Sequence, residues 1–265
     1  MCTAPGNDAG PRPAAAVKEE ERTLLAGDGA ALREFVALPA TGFRRGAVLI
    51  IHDIWGYTDF YKDLARRITG HGHAAALVDF FGRQGDLPES MRAPERTGTK
   101  PEAMARAVQR AQQLSDERFL ADMQTAVDDL QARGAPAGAC WGFCMGGRLA
   151  YASAARVGGL AGAVAYYGHL QAEPGRLSPL QLAAEIGVPI LGIFGGADAN
   201  IPADQVAAFK DALKTEKEIV TYAGAPHGFL RYGATDHKAA IDDALQRTYR
   251  FLGRVLTAPA KAVSP

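Results

Sequence analysis

Gly138-Ala139-Cys140-Trp141-Gly142-Phe143-Cys144-Met145-Gly146-Gly147-Arg148-Leu149-Ala150-Tyr151 is the stretch whose reading decides the fold. Small and apolar residues run into Gly142-Phe143-Cys144-Met145-Gly146, and helix-compatible sequence continues from Arg148 to Arg156. The pattern predicts a strand, a sharp turn and a helix. A Gly-x-Cys-x-Gly core at such a turn has the form of a nucleophile elbow, with a thiol at the apex where serine is commoner. The apex needs neighbours without bulky Cβ substituents, and Gly142, Gly146 and Gly147 supply them. The Met145 amide begins a helix, whose unpaired N–H groups and dipole favour a thiolate and can hold an oxyanion. The plain alternative is a buried structural cysteine in a glycine-rich turn, so the flanking sequence has to decide.

Working outward, the flanks alternate strands and helices. Two strand-like runs between Glu20 and Leu38 flank Gly27-Asp28-Gly29, a hairpin turn, so an antiparallel pair opens the fold. Ala47–Ile51 is a continuous apolar run, as expected of a strand buried on both faces of a mostly parallel sheet. Leu64, Ala65 and Ile68 then recur at helical spacing up to Gly70. Ala74 to Phe80 reads as a strand, and Gly82 to Pro101 as a long polar loop. Helical sequence covers Glu102 to Arg133 with a break at Leu114-Ser115-Asp116.

Beyond the elbow come strand Leu160 to Gly168, an irregular excursion from His169 to Glu185, strand Val188 to Gly196, helix Ala203 to Thr215, strand Glu218 to Tyr222 and helix His237 to Leu256. This order predicts an α/β class fold: a doubly wound, mostly parallel sheet in one domain over residues 19–257, with ligands at the carboxyl ends of the strands. Residues 1–18 and 258–265 lack periodicity and are expected to be disordered tails.

Composition narrows the function classes. Twenty-nine basic and 29 acidic residues give no global field toward nucleic acid or anionic membrane, so the expected partner is a small molecule. No apolar run reaches membrane-spanning length and the N-terminus has no signal-peptide pattern, which makes the cytoplasm the expected compartment. Three cysteines, Cys2, Cys140 and Cys144, are too few for a disulfide framework and suit a reducing environment. Cys140 reads as a packed small hydrophobe too far along the strand to bridge Cys144. His71-Gly72-His73 sits at a helix end without a nearby carboxylate or cysteine, and reads as a solvated turn rather than a metal pair. His169 and His237 carry no sequence context.

A thiol nucleophile needs a base to take its proton and a carboxylate to orient that base. Asp198 follows the strand ending Gly195-Gly196, and His227 lies in Ala225-Pro226-His227-Gly228-Phe229 just after the next strand. Each falls at a carboxyl-end edge, in the order nucleophile, acid, histidine, which is the α/β-hydrolase order.

With these residues in place the chain resembles the dienelactone hydrolase (carboxymethylenebutenolidase) family over residues 20 to 256. The resemblance rests on Gly142-Phe143-Cys144-Met145-Gly146-Gly147, Gly195-Gly196-Ala197-Asp198 and His227-Gly228-Phe229-Leu230-Arg231. The excursion from His169 to Glu185 is too short for a large lid, and the resemblance implies an α/β-hydrolase fold and a triad of Cys144, Asp198 and His227. It also implies an oxyanion hole from the Ile54 and Met145 amides, and Arg83 and Arg231 clamping a substrate carboxylate. Bidentate arginine suits such a group. Asp53 stands where well-known members carry a glutamate that holds the resting thiol, one methylene shorter. Asp53 and its neighbour Trp55 are taken as substrate-binding candidates.

The expected activity is hydrolysis of small esters or lactones through an acyl-enzyme, without metal or organic cofactor, by a monomer or homodimer. A broad carboxylesterase indifferent to charge, and a non-catalytic ligand-binding protein on the same fold, remain as alternatives. For Asp53 two roles stay open: holding the thiol protonated, or pairing with Arg83 or a backbone amide.

Overall fold

The computed structural model describes residues 18–86, 88, 99–171, 175–233 and 235–257. Eight strands form one sheet: β1 (Lys18–Leu25), β2 (Ala31–Leu38), β3 (Ala47–Ile51), β4 (Ala74–Val78), β5 (Gly138–Phe143), β6 (Leu160–Tyr166), β7 (Ile190–Gly195) and β8 (Lys217–Tyr222). Their order is β1-β2-β4-β3-β5-β6-β7-β8. The β1–β2 and β2–β4 pairs are antiparallel, and every other pair is parallel. The expected mostly parallel sheet with an antiparallel N-terminal hairpin is the fold found. The expected tails fall outside the described residues, apart from Lys18, which opens β1.

Six helices of more than two turns accompany the sheet among the described residues: α1 (Asp59–Gly70), α2 (Pro101–Gln113), α3 (Asp116–Ala132), α4 (Met145–Arg156), α5 (Ala203–Ala212) and α6 (Lys238–Thr257). The break expected near Ser115 separates α2 from α3, and the Ser115 side chain caps α3 by accepting from the Arg118 amide. Neighbouring residues of β5 show the two covered faces. Trp141 meets Tyr249 of α6 edge-on, while the Cys140 thiol faces the Ala150 carbonyl of α4. On the first face, His71 at the end of α1 stacks on Tyr249 at 3.6 Å; on the second, Tyr151 of α4 packs against Phe209 of α5 at 4.7 Å. All residues of β3, β4 and β5 are buried, which explains their unbroken apolar runs.

The outermost strand β1 is held differently. Its period-two alternation sends Glu19 and Glu21 toward Arg66 and Lys62 of α1, and Glu20 and Arg22 toward Arg133 and Asp129 beside and on α3. Ion pairs on both faces thus replace apolar burial at this edge. Beneath them Glu34 of β2, opposite Arg22, is completely buried and its carboxyl oxygens make no hydrogen bond.

Burial pushes the Glu34 carboxyl from 4.5 up to about 7, against the pull of Arg22. The folded state therefore binds this proton more tightly than the unfolded chain, and stability is lost as pH rises from about 4.5 to about 7. Glu34→Gln should flatten that decline, worth at most on the order of 3 kcal/mol. Chemical denaturation of both proteins at intervals from pH 4.5 to pH 8 checks it; parallel stability curves would assign the slope to other groups.

Candidate active site

β5 ends at Phe143 and α4 begins at Met145, so Cys144 alone turns the chain, with φ 55° and ψ −113°. That region favours glycine, and among the described non-glycine residues only Cys144 and Tyr167 have positive φ. The turn closes because its flanks have no side chains. A Cβ on Gly142 would lie 1.9 Å from the Gly146 carbonyl oxygen, and one on Gly146 would lie 2.2 Å from that of Ile51. The Cys144 amide donates to the Tyr166 carbonyl at 3.0 Å and its own carbonyl accepts from Arg148 at 3.1 Å, leaving the thiol half-buried at the strand ends.

Asp198 occupies the turn after β7. One carboxylate oxygen accepts from the Asn200 amide at 3.0 Å, and the other faces His227 Nδ1 at 2.6 Å. His227 lies after β8, before the one-turn helix Phe229–Tyr232, which starts from Gly228 in left-handed conformation. Burial disfavours the imidazolium, yet the hydrogen bonds to Asp198 and Cys144 and their charges raise His227 from 6.5 to about 10. Burial likewise pulls Asp198 up, and the His227 bond outweighs it to hold the carboxylate below its ordinary range. Asp198 and His227, which follow separate strands, are thus hydrogen-bonded to each other, and Cys144 lies near enough to His227 to help raise it.

The loop after β3 packs directly on this turn, since Gly146 abuts the Ile51 and His52 carbonyls. It brings the end of β3 and His52 beside the start of α4. Asp53 turns the loop: its Oδ1 accepts from the Trp55 amide at 2.9 Å, and its carbonyl accepts from Gly56 at 3.1 Å and from His52 Nδ1 at 2.8 Å. Both Asp53 oxygens also take Arg231 Nη1, at 3.2 and 2.9 Å, inside the protein. The guanidinium lies over Phe60 at 4.8 Å. Of the two roles left open for Asp53, pairing is the one seen, with Arg231 and a backbone amide rather than with Arg83.

Neither arginine of the expected clamp points an uncommitted fork outward. Arg83 binds both oxygens of buried Asp122 on α3, at 2.5 and 2.9 Å, and Asp28 of the β1–β2 turn at 2.8 Å. A substrate carboxylate at Arg83 would have to displace a carboxylate that has no water to retreat into.

Other residues at the site carry weak sequence signals. Tyr167, buried with φ 40°, sets its ring 5.1 Å from that of His227. Exposed Tyr232 accepts from Trp55 Nε1 at 2.6 Å, and Trp55 packs with Ala103 and Ala107 of α2. His169, without context in the sequence, lies 5.6 Å from His227, ring to ring. The only hint of Tyr167 and His169 was their place just past a strand end. The solvated turn expected at His71 and His73 is corrected for His73, which is buried with Nδ1 on the Arg45 carbonyl at 2.7 Å. Cys140 is buried and its thiol pushed up to about 12 by burial. No group of three or more metal-ligating side chains occurs among the described residues. A surface depression of about 610 Å³ lined by Asp116, Arg156 and Arg176 includes none of Cys144, Asp198 and His227.

Residues 32–256 match the dienelactone hydrolase family. A Saccharolobus solfataricus protein provisionally assigned as a carboxymethylenebutenolidase is 29% identical over 263 residues, covering 89% of this chain and 99% of that protein. The Rhodococcus opacus carboxymethylenebutenolidase is 31% identical over 224 residues, covering 79% and 81%. A Klebsiella pneumoniae protein provisionally assigned as a dienelactone hydrolase has a crystal structure that superposes with a TM-score of 0.78 at 28% identity, covering 90% of this chain and 99% of that one.

Two outcomes follow from these contacts. In Asp198→Asn, His227 should lose its proton far below pH 10, nearer the ordinary 6.5, because the carboxylate that stabilises the imidazolium is gone; NMR titration of the His227 ring measures this, and an unmoved midpoint would mean Cys144 alone holds the proton. Asp53→Asn removes the carboxylate charge beside the buried Arg231 cation and should cost up to roughly 5 kcal/mol in a denaturant titration.

Proposed function

Since the chain belongs to the dienelactone hydrolase family, whose members it resembles along almost its whole length, we propose that this hydrolase cleaves small esters or lactones by thiol catalysis at Cys144. The observation that carries the reading is the 2.6 Å bond between Asp198 and His227 Nδ1, which turns the ring's other nitrogen to the thiol. Asp198 orients the ring and stabilises the imidazolium, so that His227 holds the proton taken from Cys144. The thiolate attacks the carbonyl carbon, forming a C–S bond, and the negative charge moves to the carbonyl oxygen. The amides of Ile54 and Met145 are assigned to hold that oxygen, the second at the positive end of α4. As the C–O bond breaks, His227 gives its proton to the leaving oxygen. Water, deprotonated by His227, then attacks the thioester; a C–O bond forms, the C–S bond breaks and the thiolate returns.

A carboxylate on the substrate would exchange with Asp53 on Arg231, in surroundings where Phe60 and Tyr61 already accommodate the guanidinium faces. The pairing of both Arg83 and Arg231 with the protein's own carboxylates favours a second reading, a carboxylesterase with little preference for charge.

Mixing the enzyme with p-nitrophenyl acetate and quenching within one turnover should show one acetyl group on Cys144 by peptide mass spectrometry. Cys144→Ala should give none, and His227→Ala should lower kcat by about 10³-fold or more. A folded wild-type protein that neither gains the adduct nor releases product would instead be a binding protein. Rates for dienelactone against neutral short-chain esters separate the two substrate readings: a kcat/KM preference for the lactone that collapses in Arg231→Gln supports the carboxylate exchange, and equal rates support the esterase.

A further inference from the structure

β6 leaves the sheet through Tyr167-Gly168-His169. Gly168 is wedged against the start of α4, where a Cβ would meet the Gly147 carbonyl carbon at 2.4 Å and the Arg148 nitrogen at 2.6 Å. On the far side of His169, Leu170 is fully buried, and its carbonyl accepts from the Leu180 amide at 2.9 Å and from Ser178 Oγ at 3.1 Å. The same excursion is fastened again at Leu177, whose amide donates to Asp116 at 2.7 Å and whose carbonyl accepts from Arg148 at 3.0 Å. Arg148 and Asp116 are themselves a buried bidentate pair, at 2.6 and 2.7 Å. His169 therefore follows a residue packed against the helix that carries the nucleophile and precedes one held by the Ser178–Leu180 turn.

Its side chain is exposed, unlike its neighbours Gly168 and Leu170, and its ring lies 5.6 Å from that of His227 in an edge-on arrangement. Its charge reaches Asp198 as well. An imidazole on a rigid backbone beside the proton-carrying base borders the space that the departing oxygen of a substrate must cross. Arg231 and Arg83, the two arginines expected to read a carboxylate, bind the protein's own carboxylates, Arg231 from a fully enclosed position.

Resting on the hydrolase reading, we propose that His169 is a substrate-contacting, specificity-determining residue: its imidazole donates a hydrogen bond to a carboxylate carried on the leaving-group side of the ester. The titratable groups beside it include, among the described residues, His227 and Asp198 from the turns after β8 and β7. His227 holds its proton to about pH 10 and Asp198 is ionised below the ordinary carboxylate range, so neither changes charge between pH 6 and 8.

The test compares 4-acetoxybenzoate with its methyl ester, which differ in the charge of the leaving group and share the acetyl group. His169→Ala should lower kcat/KM for 4-acetoxybenzoate about ten-fold at pH 6 and change the methyl ester less than two-fold. His169→Lys, which keeps a cation at this position, should retain the preference for the charged ester that His169→Ala loses. Equal effects of His169→Ala on both esters, or a preference that survives it, would overturn the assignment. A second measurement does not depend on turnover: protection of Cys144 from iodoacetamide by 4-hydroxybenzoate at pH 6 should weaken about ten-fold in His169→Ala. If the wild type hydrolyses neither ester yet shows His169-dependent protection, hydrolysis is refuted and the contact stands. If protection is the same in both proteins, the contact is refuted.

Discussion

The constraint on which the rest depends is the distance between two backbones. Gly146 sits against the carbonyls ending β3, and Gly142 sits against Gly146, closer than any side chain permits. This contact lets β5 reverse into α4 within a single residue. It also brings the end of β3 and His52 beside the start of that helix. From it follow the half-buried thiol, the neighbouring amides and the access of His227 from across β6 and β7. The parallel sheet contributes by delivering four strand ends to one edge, so loops far apart in sequence share one small space.

A second layer holds this space in shape through buried charge. Asp53 and Arg231 lock the β3 loop to the segment after β8, and Asp116 and Arg148 lock α3 to α4 and to the excursion after β6. Pairs of this kind contribute modestly to net stability, because desolvation offsets their attraction. Their effect is on placement: each ties a loop that would otherwise choose among conformations to a regular element. The histidine and tyrosine rings around His227 are set by those ties and by Gly168, rather than by apolar packing alone.

Much of this was legible in the residues. β3 was bounded correctly because five apolar residues lie between a glycine and a histidine, and the elbow because its glycines flank a lone thiol. β4 was expected to run to Phe80 and stops at Val78, since Asp79 binds the Phe81 amide and Arg33 and turns the chain there. Periodicity carries no trace of such a side-chain capture. Arg83 shows the same limit at longer range: its partners Asp122 and Asp28 lie 39 and 55 positions away, and its place in a loop suggested a ligand. Asp198 and His227 stand out in the sequence because strand ends are readable, whereas His169, also at a strand end, lacks a motif to single it out.

The conformation of Cys144 sets stability against chemistry at one position. Its φ and ψ lie where an L-residue is strained and glycine is at ease. The backbone would accept a glycine there readily, and only the need for a sulfur keeps a Cβ in place. Selection for a sturdier fold and selection for turnover therefore pull in opposite directions on a single residue. The dense burial of β3, β5 and β6 around it can be understood as what allows the strained residue to persist: the surrounding core over-determines the turn, so relaxation at the apex would have to disturb many contacts at once.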